Sequence, residues 1–322
     1  MSTANSPENT SGRGNKPPLA LIAGPTASGK SDLAVTLAQA IAERGRRAEI
    51  VNADSAQVYL DLAVLSARPS EQDMAGIPHH LFGAWDGARP CSAADWAGKA
   101  AALVAEMQAG GTVPILVGGT GMYIRTLLDG IAPIPQIEAS IRDEVRAMAQ
   151  ADARAALERE DPHAAARLAP ADTTRTARAL EVIRSTGRPI HQWQRDKSGG
   201  IGTDVTLHPL LLLPDRDWLY ERCDRRFSLM LDGGAVEEVR ALLARNLDPA
   251  LPVMRAIGVR EIAAWLEGEL SRDEMIRAGQ LATRQYAKRQ YTWFRNQPPE
   301  GWPRVESENY DVERVFESLL HF

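Results

Sequence analysis

Gly24-Pro25-Thr26-Ala27-Ser28-Gly29-Lys30-Ser31 completes a G-x-x-x-x-G-K-[ST] pattern, and its flanks decide the fold. Upstream lies the apolar run Leu19-Ala20-Leu21-Ile22-Ala23, and an amphipathic stretch begins at Asp32. Strand, glycine-bounded loop and helix in that order make a phosphate-binding loop. The glycines let successive N–H groups of residues 26 to 31 turn inward, the helix N-terminus adds partial positive charge, and Lys30 adds a full one. Gly24, Pro25, Thr26, Ala27, Ser28, Gly29, Lys30 and Ser31 are therefore assigned to a diphosphate or triphosphate, with the Ser31 hydroxyl placed to hold Mg²⁺. The motif does not say which phosphate compound is bound or what is done to it.

Outward from the loop, short apolar runs alternate with helical patterns. A strand near 19–23 is followed by a helix from 30 to about 44, a strand at Glu49-Ile50-Val51-Asn52, a helix around 93–109 and a strand at Pro114-Ile115-Leu116-Val117. Alternation of this kind predicts an α/β fold, a P-loop NTPase-like parallel sheet wrapped by helices. After Pro133-Ile134-Pro135 the chain turns Ala-, Arg- and Glu-rich with helical periodicity to about Ser185, then reaches the polar stretch Asp196-Lys197-Ser198-Gly199-Gly200. Residues 133–205 read as a helical insertion domain between core segments 17–132 and 206–322, and residues 1–16 as a disordered tail. A strand at 207–213 returns to the sheet, and the remainder is mainly helical until Pro298-Pro299.

The 322 residues, 44% of them hydrophobic, suffice for a full α/β core plus a second module. A formal charge of −5 argues against indiscriminate coating of nucleic acid, so any nucleic-acid site must be a local basic patch. Cys91 and Cys223 lie far apart without metal-like spacing, which suits a reducing cytoplasm. The polar first 16 residues hold no signal or anchor, and no apolar run approaches the roughly 20 residues needed to span a bilayer. A cytoplasmic protein without membrane contact is expected, with monomer as the default state.

A P-loop ATPase normally ends a later strand in an aspartate that holds Mg²⁺ beside the γ-phosphate. Here the strand 115–117 runs instead into Gly118-Gly119-Thr120-Gly121. No guanine-specifying N-K-x-D is present, since Asn15-Lys16 is followed by Pro17-Pro18. The carboxylate that stands out is Asp54, in Asp54-Ser55-Ala56-Gln57-Val58-Tyr59, just after the strand that follows the P-loop helix. From the residues alone it is a base for an acceptor, a ligand in a metal shell, or a structural cap of the next turn.

These segments, with Pro78-His79-His80-Leu81, the run Val117 to Tyr123, Arg175-Thr176-Ala177-Arg178-Ala179-Leu180-Glu181, Arg255-Ala256-Ile257-Gly258 and Ala282-Thr283-Arg284-Gln285-Tyr286-Ala287-Lys288-Arg289-Gln290, resemble the tRNA dimethylallyltransferases, also called tRNA isopentenyltransferases. The resemblance runs in order from about Leu19 to Asn296. It departs at Leu65-Ser66-Ala67-Arg68-Pro69, where family members commonly carry Gly-Thr-Ala-Lys-Pro, and at Val259, where a Tyr is common. The zinc-finger extension of eukaryotic relatives has no counterpart, so the resemblance implies a bacterial-type enzyme without structural zinc. It further implies transfer of a dimethylallyl group from dimethylallyl diphosphate to N6 of the adenosine 3′ to the anticodon, in tRNAs reading U-initial codons.

On that reading the P-loop holds a leaving group and no nucleotide is hydrolysed. Asp54 accepts the N6 proton, Lys30 and Mg²⁺ stabilise the departing diphosphate, and Thr120 is expected at the reacting centre. Arg142 aligns with a family arginine that contacts the diphosphate or the RNA; an exposed helical arginine is the alternative. Asp54, Ser55, Ala56, Gln57 and Thr120 would surround the acceptor base, with Gln57 either reading a base edge or serving a polar turn.

The tRNA anticodon stem-loop needs a further platform. Between Ile276 and Asn296 there is no acid, while Arg277, Arg284, Lys288, Arg289 and Arg295 interleave with Tyr286, Tyr291, Trp293 and Phe294. With the resemblance, Arg284, Gln285, Lys288 and Arg289 are assigned to tRNA. Arg175 and Arg178 form a second basic site, although Arg178 also stands where it can pair with Glu181, and Arg255 with Gly258 forms a third. His79-His80 reads as structural. The alternatives are prenyl transfer to a free adenine nucleotide, a P-loop small-molecule kinase using ATP, and a nucleotide-regulated RNA-binding protein.

Overall fold

The apolar runs become strands of one sheet. In the computed structural model, which describes residues 16–306 and 311–321, β1 (Pro18–Ala23), β2 (Arg47–Asn52), β3 (His79–His80), β4 (Thr112–Gly118), β5 (Thr206–Leu212) and β6 (Arg304–Val305) lie in the order β3-β2-β4-β1-β5-β6. Every pairing is parallel. The fully buried Leu19 to Ala23 explain the continuous apolar run of β1, since a central parallel strand has helices or neighbours on every side. The expected disordered tail falls on residues 1–15, outside the described residues, except for Lys16. Lys16 is anchored: its ammonium bonds the Thr203 carbonyl and its own carbonyl accepts from Thr206 Oγ1 at 2.9 Å.

The P-loop helix (Lys30–Glu43) buries Leu33, Ala34, Leu37, Ala38 and Ile41, an i, i+3/i+4 stripe laid on the sheet. Its core cluster includes Ile22, Ile115 and Leu210 from three strands, and also Phe316, Leu319 and Leu320 from the C-terminal segment. Burying each of those last three side chains stabilises the fold by roughly 1.5–3 kcal/mol before entropy is counted. The helices Ala93–Ala109 and Arg272–Asn296 both begin in reciprocal capping boxes, Ser92 with Asp95 and Ser271 with Glu274. Among the described residues no helix is long and apolar enough to cross a membrane.

The chain divides into residues 1–124 with 202–322, and residues 125–201. The second unit begins earlier than the expected 133 and ends earlier than the expected 205. The reason is a small closure at its base, where Ile131 and Ser198 exchange backbone hydrogen bonds of 3.0 and 3.1 Å, and Ile201 N–H reaches Leu127 O at 2.9 Å. Residues 125–132 thus join the helical unit. Within it, helices Ala139–Ala147, Gln150–Glu160, Pro162–Arg167 and Thr173–Thr186 surround an Ala- and Leu-rich core containing Val145, Ala156, Leu157 and Leu180.

Candidate active site

The functional loops all leave the carboxyl ends of parallel strands, where such sheets place ligands. β1 delivers Gly24, β2 delivers Asp54 and β4 delivers Gly119. Two bonds extend the ladder beyond the strands: Ala53 N–H to Val117 O at 2.7 Å and Thr120 N–H to Ala53 O at 3.1 Å. They hold the Asp54 turn against the glycine turn. A Cβ at Gly118 would sit 2.2 Å from the Ala53 carbonyl carbon, and one at Gly121 would meet the Trp293 ring at 2.4 Å. Glycine is required here by close approach.

In the phosphate loop, Ala27 and Gly29 take positive φ of 61° and 86°, and a Cβ at Gly24 would lie 2.3 Å from the Leu212 carbonyl oxygen. Lys30 is buried and donates to the Pro25 carbonyl. Burial pulls its ammonium down from the ordinary lysine range to about 8, opposed by the Asp54 carboxylate and reinforced by Arg226. Ser31 and Asp32 lie exposed on a cavity of about 470 Å³ that is also lined by Asp73, Arg222, Arg225 and Arg226.

A second cavity of about 320 Å³ contains Asp54, with Leu62, Leu65, Phe227 and Met230 among its apolar walls. Arg226 lines both cavities, so one guanidinium joins the phosphate loop to the Asp54 chamber. It reaches Thr26 Oγ1 at 3.3 Å and the Ala67 carbonyl at 3.4 Å, while Arg222 Nε donates to Ala27 O at 2.9 Å. Burial lowers the Arg226 pKa and the Asp54 carboxylate partly restores it. The sequence reading missed Arg222, Arg225 and Arg226; their i, i+3, i+4 spacing on helix Arg216–Asp232 was the available signal.

Asp54 is aligned by backbone. Asn52 Oδ1 accepts its N–H at 2.8 Å, Asn52 Nδ2 donates to its carbonyl at 3.1 Å, and its own Oδ1 accepts from Ala56 N–H at 2.9 Å. Ala56 and Ser55 line the chamber. Thr120 Oγ1 accepts from Ser55 N–H at 2.9 Å and donates to Ser55 Oγ at 3.1 Å, so its hydroxyl braces the turn next to the carboxylate. Tyr286, half-buried, lines the chamber with Ser55; burial first, and the Asp54 carboxylate second, push its phenol pKa up. The sequence reading had placed Tyr286 among the aromatics of the RNA platform, and the structure sets it on the wall of the Asp54 chamber.

Several expected RNA contacts are occupied within the fold. Gln57 Nε2 donates to Ser66 O at 3.1 Å and Ala67 O at 2.8 Å, the polar-turn role. Ala67, inside the segment that departs from the family pattern, thus contributes through its carbonyl. Gly258 caps helix Val259–Leu266 at φ 92°, with its N–H on Glu261 Oε2 at 2.9 Å and its carbonyl on Ile262 N–H at 2.9 Å, so it offers no backbone donor to a ligand. Val259 is buried at the first position of that helix. Arg284 is ion-paired with Asp224, the compensating acid that a scan of 276–296 alone could not reveal.

The remaining cations differ in setting. Lys288, Arg289, Gln285 and Arg255 are exposed, and Arg289 and Arg255 line the Asp54 chamber. In the helical unit, Arg175 pairs with Asp172 at 3.1 Å. Arg178 reaches Glu181 at 3.5 Å, a buried carboxylate that also holds Arg146 at 3.0 Å. Arg142 lies on helix Ala139–Ala147 with its Nε buried and without a hydrogen-bond partner. His79 Nδ1 bonds Ile77 O at 2.8 Å and His80 Nε2 bonds Glu49 at 2.7 Å, consistent with edge-strand structure.

Residues 57–297 match the family described as IPP transferase, and residues 17–81 match isopentenyl transferase. The chain belongs to the IPP transferase family. It is 67% identical over 309 residues to a tRNA dimethylallyltransferase of Erythrobacter litoralis, covering 96% of this chain and 98% of that one. A tRNA dimethylallyltransferase of Sphingopyxis alaskensis is 61% identical over 295 residues, covering 91% and 95%. The crystal structure of a full-length tRNA isopentenylpyrophosphate transferase from Bacillus halodurans superposes with a TM-score of 0.67 at 31% identity, over 95% of each chain. A eukaryotic dimethylallyltransferase acting on tRNA gives a TM-score of 0.74 at 27% identity, over 86% of this chain and 70% of that one. The expected fold class, a P-loop-like parallel sheet wrapped by helices, is the observed one.

Proposed function

We propose that this chain transfers a dimethylallyl group from dimethylallyl diphosphate to N6 of the adenosine 3′ to the anticodon in tRNAs reading U-initial codons. The observation that carries the reading is Arg226, shared by the phosphate-loop cavity and the partly apolar Asp54 chamber. A prenyl diphosphate has that duality, an anionic head joined to a C5 hydrocarbon.

The diphosphate sits on the loop N–H groups after Thr26, with Lys30, Arg222 and Arg226 facing the charge that develops as the allylic C–O bond breaks. The Ser31 hydroxyl, exposed beside Asp32 on that cavity, fits a Mg²⁺ ion, which when bound supplies charge neutralisation on the phosphates. The exocyclic amine of adenine is a weak nucleophile, so orientation is a large part of the task. Asp54 accepts a hydrogen bond from N6 and then its proton, which becomes acidic as the C–N bond forms. Thr120 braces the turn that aims it. The base reaches this chamber unstacked, as other nucleobase-modifying enzymes require. Lys288, Arg289 and Arg255 offer positive charge to the anticodon stem-loop, with Arg175, Arg178 and Arg142 as a second basic set.

Incubation of the purified protein with dimethylallyl diphosphate, Mg²⁺ and bulk tRNA, followed by nucleoside mass analysis, tests the reading. One N6-dimethylallyladenosine per pyrophosphate is expected, with pyrophosphate inhibiting competitively against the donor. ADP formed in step with product would instead favour phosphoryl transfer, and modification of free AMP alone would favour the nucleotide prenyltransferase.

A further inference from the structure

We propose that the helical unit carries a divalent-metal site built from Asp161, His163 and His191, of the imidazole and carboxylate kind that takes Zn²⁺. One donor atom from each residue lies within 4.8 Å of the other two. Asp161 is 2% exposed. Its Oδ1 accepts from Ala164 N–H at 3.0 Å and caps helix Pro162–Arg167, while its Oδ2 is buried without a hydrogen-bond partner. A capping role therefore accounts for one oxygen and leaves the other, a buried acceptor that is costly to strand. His191 supplies a second orphan, a buried Nδ1 without a partner.

The two imidazoles are already neighbours. Their centroids are 4.1 Å apart, tilted by 35°. His163 stands in the first turn of helix Pro162–Arg167, and His191 lies on the one-turn helix Ile190–Trp193. Two imidazole nitrogens and one carboxylate oxygen select Zn²⁺ over Mg²⁺, which prefers an all-oxygen shell. Zn–N bonds of about 2.0–2.1 Å put tetrahedral donors about 3.3 Å apart, and rotation of the exposed His163 closes the remaining gap. That exposure also leaves a fourth position to water. The site takes no part in prenyl transfer: it ties the turn at Asp161 to the segment after Pro189, which otherwise holds only a single helical turn.

The test uses the full-length protein stripped of metal with a chelator. Co²⁺ is titrated with absorption spectroscopy, Zn²⁺ by calorimetry, and melting is followed with and without Zn²⁺. One equivalent of Co²⁺ should give the visible d–d bands of four-coordinate metal, Zn²⁺ should displace it, excess Mg²⁺ should not, and Zn²⁺ should raise the melting midpoint. His163→Ala removes an exposed ring and should fold as the parent while weakening Zn²⁺ binding by about 100-fold, at least the loss seen for an outer-shell partner. Asp161→Asn keeps a capping oxygen and should weaken it as well, whereas His79→Ala should not. Absence of stoichiometric Co²⁺ or Zn²⁺ binding, or binding and metal-dependent melting unchanged in folded His163→Ala and His191→Ala, would overturn the site and leave a polar pair without a metal.

Discussion

The Gln290 side-chain Oε1 accepts a 2.8 Å hydrogen bond from the Thr26 N–H, so the basic helix fixes one corner of the phosphate loop. The same amide donates from Nε2 to Gly119 O at 2.8 Å. One buried side chain thereby sets the distance between the donor loop and the turn that braces Asp54, and it removes the Thr26 N–H from the set available to phosphate. Gln290→Leu should cost about 1–3 kcal/mol for each backbone group left unsatisfied. It should also lower donor affinity. Denaturant midpoints and diphosphate titrations measure the two effects, and a variant of parental stability and donor affinity would show that the clamp is incidental.

Lys30 predicts a trade between stability and function. Its folded pKa, about 8, lies below the ordinary value of 10.5 because burial disfavours the charge. A depressed base costs stability in full below the folded value, and that cost fades as pH rises from about 8 to 10.5. Lys30→Met should therefore abolish most turnover yet raise the melting midpoint of the ligand-free protein at pH 7, with a smaller gain at pH 9.5. For the parent, donor binding should weaken above pH 8 as the charge is lost. Equal destabilisation of Lys30→Met at both pH values would contradict the burial argument.

Asp54→Ala should lower the single-turnover rate by about 10²- to 10⁴-fold, the usual range for a missing general base, while largely sparing donor and tRNA binding. Asp54 lies in the chamber beside Arg226 and receives its orientation from Asn52 and Ala56. Near-parental turnover with confirmed product would remove it from the chemistry.

What the sequence made legible divides along physical lines. Local patterns carried far: the apolar run at β1, the glycine spacing of the phosphate loop and the stripe on helix Lys30–Glu43 are each dictated by neighbours in the chain. The two-residue edge strands β3 and β6 escaped because so short a pairing has no period to read. Phe316 and Leu319, outside the family resemblance, join the core because a long-range contact decides their burial. At the site, Asp54 and Lys30 stand in recognisable motifs, but Arg226 acts from a helix about 200 positions away from Thr26. Asp224, which neutralises Arg284, was invisible for the same reason: charge balance is set across helices in space.

That pairing sharpens the expectation for RNA binding. Lys288 and Arg289 are exposed and form no ion pair among the described residues, whereas Arg284 is committed to Asp224. Arg289 also lies 5.6 Å from the Tyr286 ring centroid and lines the Asp54 chamber, so it stands where an inserted base would pass. Charge reversal at Lys288 or Arg289 should weaken tRNA binding without comparable loss of dimethylallyl diphosphate binding. If each cation neutralises one phosphate, the log–log salt slope should fall by about 0.7–0.9 per lost contact. Arg284→Ala should behave differently, reducing stability through the stranded Asp224 while changing the salt slope little. Titrations across several salt concentrations separate the cases. Unchanged tRNA affinity and slope in a folded Lys288→Glu, Arg289→Glu double variant would make this helix a solvated face and move the RNA contact to Arg175 and Arg178.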